Sequence, residues 1–138
     1  METKGMIEVT AEHWLHIRLD MLLPSVRYSS TQFITDAITA LLADYEGELP
    51  FFEQALLVID EHSNDDTRQV FDQDNKAWKA IPNALKIRVF NDDDQYTLAV
   101  CLLSERSEEV CTHVYVLPPR DAFWYFFGRY NDTPNPPR

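Results

Sequence analysis

The chain has very little glycine, 3 residues in 138. A glycine-rich phosphate cradle therefore has no raw material, and neither a P-loop nor a dinucleotide-binding G-x-G-x-x-G occurs. The nucleophile elbow G-x-S-x-G is missing as well. Cysteine is equally scarce. Cys101 and Cys111 are the only two, with no C-x-x-C, so a zinc ribbon is excluded. They fall on neighbouring predicted strands and read as free thiols packed as small hydrophobes. No apolar run approaches the roughly 20 residues of a membrane helix. The first residues lack the basic stretch and apolar run of a secretory leader. The expectation is a cytoplasmic protein without membrane contact. Positive charge is short too: 12 Lys and Arg against 23 Asp and Glu leave a net charge of −11. Such a field favours solubility and repels nucleic acid at long range.

What is present builds a core. Apolar residues make up 45% and aromatics 12% of the chain, enough for one domain over 1–130 with a flexible tail at 131–138. Residues 13–22 alternate, with Leu15, Ile17, Leu19 and Met21 on one face and His16, Arg18 and Asp20 on the other, which predicts a half-buried strand. Helical spacing of Phe33, Ile34, Ala37, Ile38, Leu41 and Leu42 predicts a helix over 31–46, capped by Ser30 and ended by Gly47. A strand is expected at 55–61. A helix follows Asp74, with Trp78, Ile81 and Leu85 on one face and a kink at Pro82. Strands at 96–104 and 109–118, joined by a short polar link, read as a hairpin. The order is β-α-β-α-β-β, a two-layer α+β domain with an antiparallel C-terminal hairpin.

Two acidic islands flank a segment dotted with basic residues: "DQDN" at 72–75 and "DDDQ" at 92–95. Short carboxylates commonly build turns and cap helices. They also suit a magnesium ion, which takes carboxylate and water oxygens. Asp72 and Asp74, two apart, share a face at a strand end, and a carboxylate from a distant loop would close the site.

The order D-x-D-N, Lys, N-A-L, D-D-x-Q over 72–95, with the strands that follow, resembles RusA-type crossover junction endodeoxyribonucleases. The resemblance covers about 45 residues, 72 to 117. It implies a RusA-like fold and a Mg²⁺ site at Asp72, Asp74 and Asp93, with Lys79 assisting catalysis and Asp92 as the flanking acid. Lys79 takes the family lysine's place once a residue is inserted before "NAL", where Pro82 sits. It further implies a homodimeric Holliday junction resolvase, acting on branched DNA in recombination and repair. The metal would activate water and clamp the oxygens of an in-line phosphoryl transfer.

The excess acid supports another reading. A non-catalytic relative could present Asp44, Glu46, Glu48, Asp60, Glu61, Glu105, Glu108 and Glu109 to a basic protein partner, as a mimic of DNA phosphates. In a third, the Asp groups are only turns and caps. His13 and His16 point to opposite faces of a strand and make a poor zinc pair. His62 and His113 stand isolated in sequence and read as surface or polar-core histidines. The stretch "FWYFFGRY", six aromatics in eight positions, reads as core or dimer packing, or as a base-stacking surface helped by Arg120 and Arg129.

Overall fold

The computed structural model describes residues 5–24, 31–64 and 77–131. The domain is α+β, and its described residues form one five-stranded sheet and three α-helices. Strand β1 (Gly5–Val9) turns back onto β2 (Leu15–Leu19) as an antiparallel pair. The turn is tied by Thr10, whose hydroxyl accepts the Trp14 N–H at 3.1 Å, and it needs His13 in the left-handed region at φ 69°. Then come α1 (Gln32–Asp44), β3 (Ala55–Ser63), α2 (Ala80–Leu85), β4 (Leu98–Arg106), β5 (Cys111–Leu117) and, after a 3-10 turn, α3 (Ala122–Asn131).

The strand order is β1-β2-β5-β3-β4. This corrects the expected C-terminal hairpin. β4 and β5 do not touch as neighbours, because β3 lies between them, parallel to β4 and antiparallel to β5. The reason is the composition of β3. Ala55 to Asp60 are all buried, so the strand is covered on both faces and belongs in the interior of a sheet. The link after β4 instead passes the end of β3, where Ser107 N–H bonds Ser63 O at 2.6 Å. The N-terminal strand β1 adds an element that the expected order lacked.

The expectation of two layers is also corrected. Leu15, Ile17 and Leu19 of β2, Leu57 and Ile59 of β3, and Val114 and Val116 of β5 share one sheet face and pack with Ile34 and Ile38 of α1 and Ile81 and Leu85 of α2. The opposite face carries Trp14, Leu56, Val58 and Leu117, and α3 lies there through Tyr125. Helices thus cover both faces.

Local details follow sequence chemistry. Pro82 is the third residue of α2, inside the first turn, where its missing N–H has no intrahelical role, so the helix accommodates it. Lys79 stands at the N-cap of α2; Asp74, the expected cap, lies outside the described residues, as does Ser30. α1 ends at Tyr45, which turns to extended backbone, and not at Gly47. α3 amid its aromatics is held by one buried ion pair: Arg129 Nε and Nη2 donate to Asp60 Oδ2 and Oδ1 at 2.8 and 2.9 Å. A guanidinium fork matches a carboxylate in this two-point geometry. Replacing Arg129 by Met strands the Asp60 carboxylate in the interior. Urea denaturation is expected to show a loss of about 3 kcal/mol or more, and a change under 1 kcal/mol would contradict this role of the pair.

Candidate functional site

On the α3 side of the sheet, even-numbered residues of β2 and β3 meet odd-numbered residues of β5. Register sets Asp60 beside His113, His62 beside Cys111, and His16 beside Tyr115. Strand alternation then points all six side chains to one face. The helix α3 meets this face through Arg129 on Asp60 and Tyr125 against Tyr115.

They are joined in a chain of hydrogen bonds. Glu8 Oε2 lies 2.6 Å from His16 Nδ1, His16 Nε2 lies 2.9 Å from His113 Nδ1, and His113 Nε2 lies 3.4 Å from Cys111 Sγ. A carboxylate only accepts, so His16 Nδ1 donates to Glu8. One proton is shared between His16 Nε2 and His113 Nδ1, and which ring carries it depends on the tautomer. The other ring nitrogen of His113, Nε2, faces the Cys111 sulfur. The chain thus runs from Glu8 to Cys111. Ring stacking helps hold it: His16 lies flat on Tyr115, with centroids 4.2 Å apart and planes 4° from parallel.

Electrostatics agree with a neutral His113. Burial, then the neighbouring His16 and His62, push its pKa from 6.5 down to about 4. Burial, then the hydrogen bond to Glu109, push the Cys111 thiol up to about 11. Cys111 therefore carries its proton at neutral pH and offers it to Glu109 Oε1 at 3.3 Å. It is no free-standing nucleophile.

His62 completes a set of donors. A ring nitrogen of His62, Cys111 Sγ and a ring nitrogen of His113 all lie within 4.8 Å of one another. His62 Nε2 is buried without a hydrogen bond, with Asp60 Oδ2 3.3 Å away. A tetrahedral zinc holds nitrogen and sulfur donors about 3.3 to 3.6 Å apart, and the Cys111–His113 separation already fits. The remaining closure is of the order of 1 Å, within side-chain rotation.

The acidic residues expected to form a site are described only in part. Asp72 and Asp74 lie outside the described residues. Asp93 is exposed, 3.9 Å from Lys86 Nζ. Its neighbours act as turn formers: Asp92 Oδ1 accepts the Asp93 N–H, and Asp94 Oδ1 accepts the N–H groups of Tyr96 and Thr97. Lys79 is exposed, with Nζ 6.0 Å from the centre of the Trp78 ring. Cys101 and Cys111 are both free thiols, as expected. No helix among the described residues is long and apolar enough to cross a membrane.

The family model of DUF6100, described as a family of unknown function, matches residues 1–127. The chain belongs to this family. No curated protein and no solved structure matches it. The stretch matched to DUF6100 contains Glu8, His16, His62, Cys111 and His113, whereas Arg129 lies beyond it.

The histidines read as isolated in the sequence because the expected hairpin set β5 beside β4. With β3 as the true neighbour, the alternate pairs Asp60/His62 and Cys111/His113 fall into register. The available signal was Cys-x-His within one strand, which places both donors on one face.

The depressed pKa of His113 has a consequence for stability. In the unfolded chain it binds a proton near pH 6.5, and in the fold only near 4. The unfolded state holds more protons between these values, so this group's contribution to stability falls as pH drops through that window. Thermal melts from pH 7 to 4 are expected to show a falling midpoint, with a shallower slope in His113→Gln. An equal slope in both proteins would remove His113 as the source.

Proposed function

We propose that this protein is a metal-dependent protein that holds a divalent transition cation, zinc by preference, through His62, Cys111 and His113. The observation that carries the reading is the convergence of two imidazoles and one thiol on adjacent strands, backed by the Glu8–His16–His113 chain. Nitrogen and sulfur donors select zinc-like cations over magnesium or calcium. Ligating histidines ordinarily donate their other ring N–H to an outer partner, and His113 Nδ1 has His16 Nε2 at 2.9 Å for that role. Three protein donors leave one position open, the pattern of catalytic rather than structural zinc. That position adjoins a cleft of about 720 Å³ lined by His62 and His113 but not by Cys111. The cation would act there as a Lewis acid on a bound small molecule or water. Glu109 and Glu8 add negative charge that suits a cation.

The test is titration of the whole chain with Co²⁺. A sulfur-to-cobalt charge-transfer band near the ultraviolet is expected, with d–d bands of tetrahedral intensity. Cys111→Ser should abolish the former. His16→Gln should weaken metal affinity about 10- to 100-fold, since it touches only the outer shell. Weak octahedral bands that are the same in wild type and Cys111→Ser would sink the proposal.

A second reading keeps the RusA-type resemblance: a Mg²⁺-dependent endonuclease on branched DNA, built from Asp72, Asp74 and Asp93 with Lys79, or an inactive homodimeric relative that meets a basic protein. The exposure of Asp93 beside Lys86 favours it, because this carboxylate is free to reach a metal at the surface. Cleavage of a synthetic four-way junction in Mg²⁺, lost in Asp93→Asn and intact in Cys111→Ser, is its expected signature. An unchanged junction would remove the nuclease.

A further inference from the structure

The cleft that opens beside His62 and His113 has a lining that restricts what it can hold. Its volume of about 720 Å³ lies inside the range of small-molecule pockets, about 300 to 1,000 Å³. Its walls are aromatic: Trp14 and Tyr115 from the sheet, and Trp124, Tyr125 and Phe127 from α3. Two of these do little for the core. Trp124 is 63% exposed and Phe127 51% exposed, although both line the cleft. Their rings stand nearly perpendicular, 6.4 Å apart at 76°, so they form a corner of uncovered apolar surface. Trp14 shows the cleft its ring alone, because its Nε1–H is taken by Asp121 Oδ2 at 2.9 Å.

Charge narrows the choice further. The lining cation, Arg129, is committed to Asp60 by two hydrogen bonds. The pair is internally neutral and has no charge left for a ligand. Glu12 adds a carboxylate at the rim. Beyond the metal itself, an anionic group such as a phosphate or a carboxylate on the body of the ligand would meet no uncommitted cation among the lining residues, on a chain of net charge −11. An aromatic body with a neutral nitrogen-donor head meets the opposite situation. Its ring is covered by Trp124 and Phe127, and its head reaches the histidine floor.

We infer that the cleft takes a small aromatic molecule whose neutral nitrogen-donor head occupies the open metal position between His62 and His113. This rests on the metal reading above, and it adds the ligand's class. It also gives the exposed aromatics of α3 a use distinct from base stacking, since the same corner that accepts a planar ring offers nothing to a phosphate.

The experiment uses the full chain loaded with Co²⁺ and three probes: imidazole, 4-phenylimidazole and 4-(imidazol-4-yl)benzoate. Perturbation of the cobalt d–d bands reports binding at the metal. 4-Phenylimidazole is expected to bind at least tenfold tighter than imidazole, as burial of one ring predicts. The benzoate should lose most of that gain. Trp124→Ala and Phe127→Ala, both at exposed positions, should erase the preference for the phenyl ring while leaving the cobalt spectrum as in wild type. Equal binding of imidazole and 4-phenylimidazole to the cobalt protein overturns the aromatic ligand and leaves the metal site standing. Tightest binding of the benzoate overturns the charge argument and with it the inference. Absence of the cobalt bands overturns the metal reading itself, and the inference with it.

Discussion

A strand that is apolar on both faces and bonded on both edges must sit inside a sheet, and β3 is such a strand. Ala55 to Asp60 are buried without a break. Everything polar about the molecule is arranged around that constraint. With β3 in the interior, β4 takes one side and β5 the other, and the two are kept apart. β5 then faces β3 with Cys111 opposite His62 and His113 opposite Asp60. The same placement brings β5 against β2, so that His16 reaches His113. A different neighbour for β3 would scatter these side chains over the sheet.

Charge is handled by two separate devices on that face. Near α3, Asp60 and Arg129 satisfy one another almost completely, which lets a helix of aromatics rest on a buried carboxylate. Near β1, the carboxylate of Glu8 is passed through two rings to the edge of Cys111. The first device removes a charge from play. The second links β1, β2 and β5 through their side chains. A low-dielectric setting makes both matter more than they would at a surface.

Much of the fold was legible in the sequence. Alternation at 13–22 located β2, helical spacing located α1, and the apolar run at 55–61 located β3 within two residues at its end. The inner face of β2 holds Leu15, Ile17 and Leu19, as the pattern says, while Met21 falls beyond the strand. Pairing was the part that periodicity does not carry. Two β-rich segments joined by a short polar link satisfy the signature of a hairpin, and only the burial of β3 on both faces shows that the link must pass another strand's end. The meeting of the histidines is hidden for the same reason. Single histidines far apart in sequence have no spacing to read, and their convergence depends on which strands are neighbours. The acidic islands, by contrast, drew attention because they are contiguous. Around Asp94 the carboxylates hold a turn.

The position of β5 bears on how the molecule comes into being. Without it the sheet is two disconnected pieces, β1 with β2 and β3 with β4. β5 is the last strand along the chain, and it pairs with β2 across about a hundred residues of sequence, as Ile17 opposite Val114 shows. Closing so long a loop makes folding slow compared with a chain of local hairpins. It also means that on a ribosome the two halves wait, with Leu15, Ile17 and Ile59 short of their cover, until residues 111–117 emerge and slot between them. Cys111 and His113 ride on that strand. The polar cluster is therefore assembled in the same event that makes the sheet continuous.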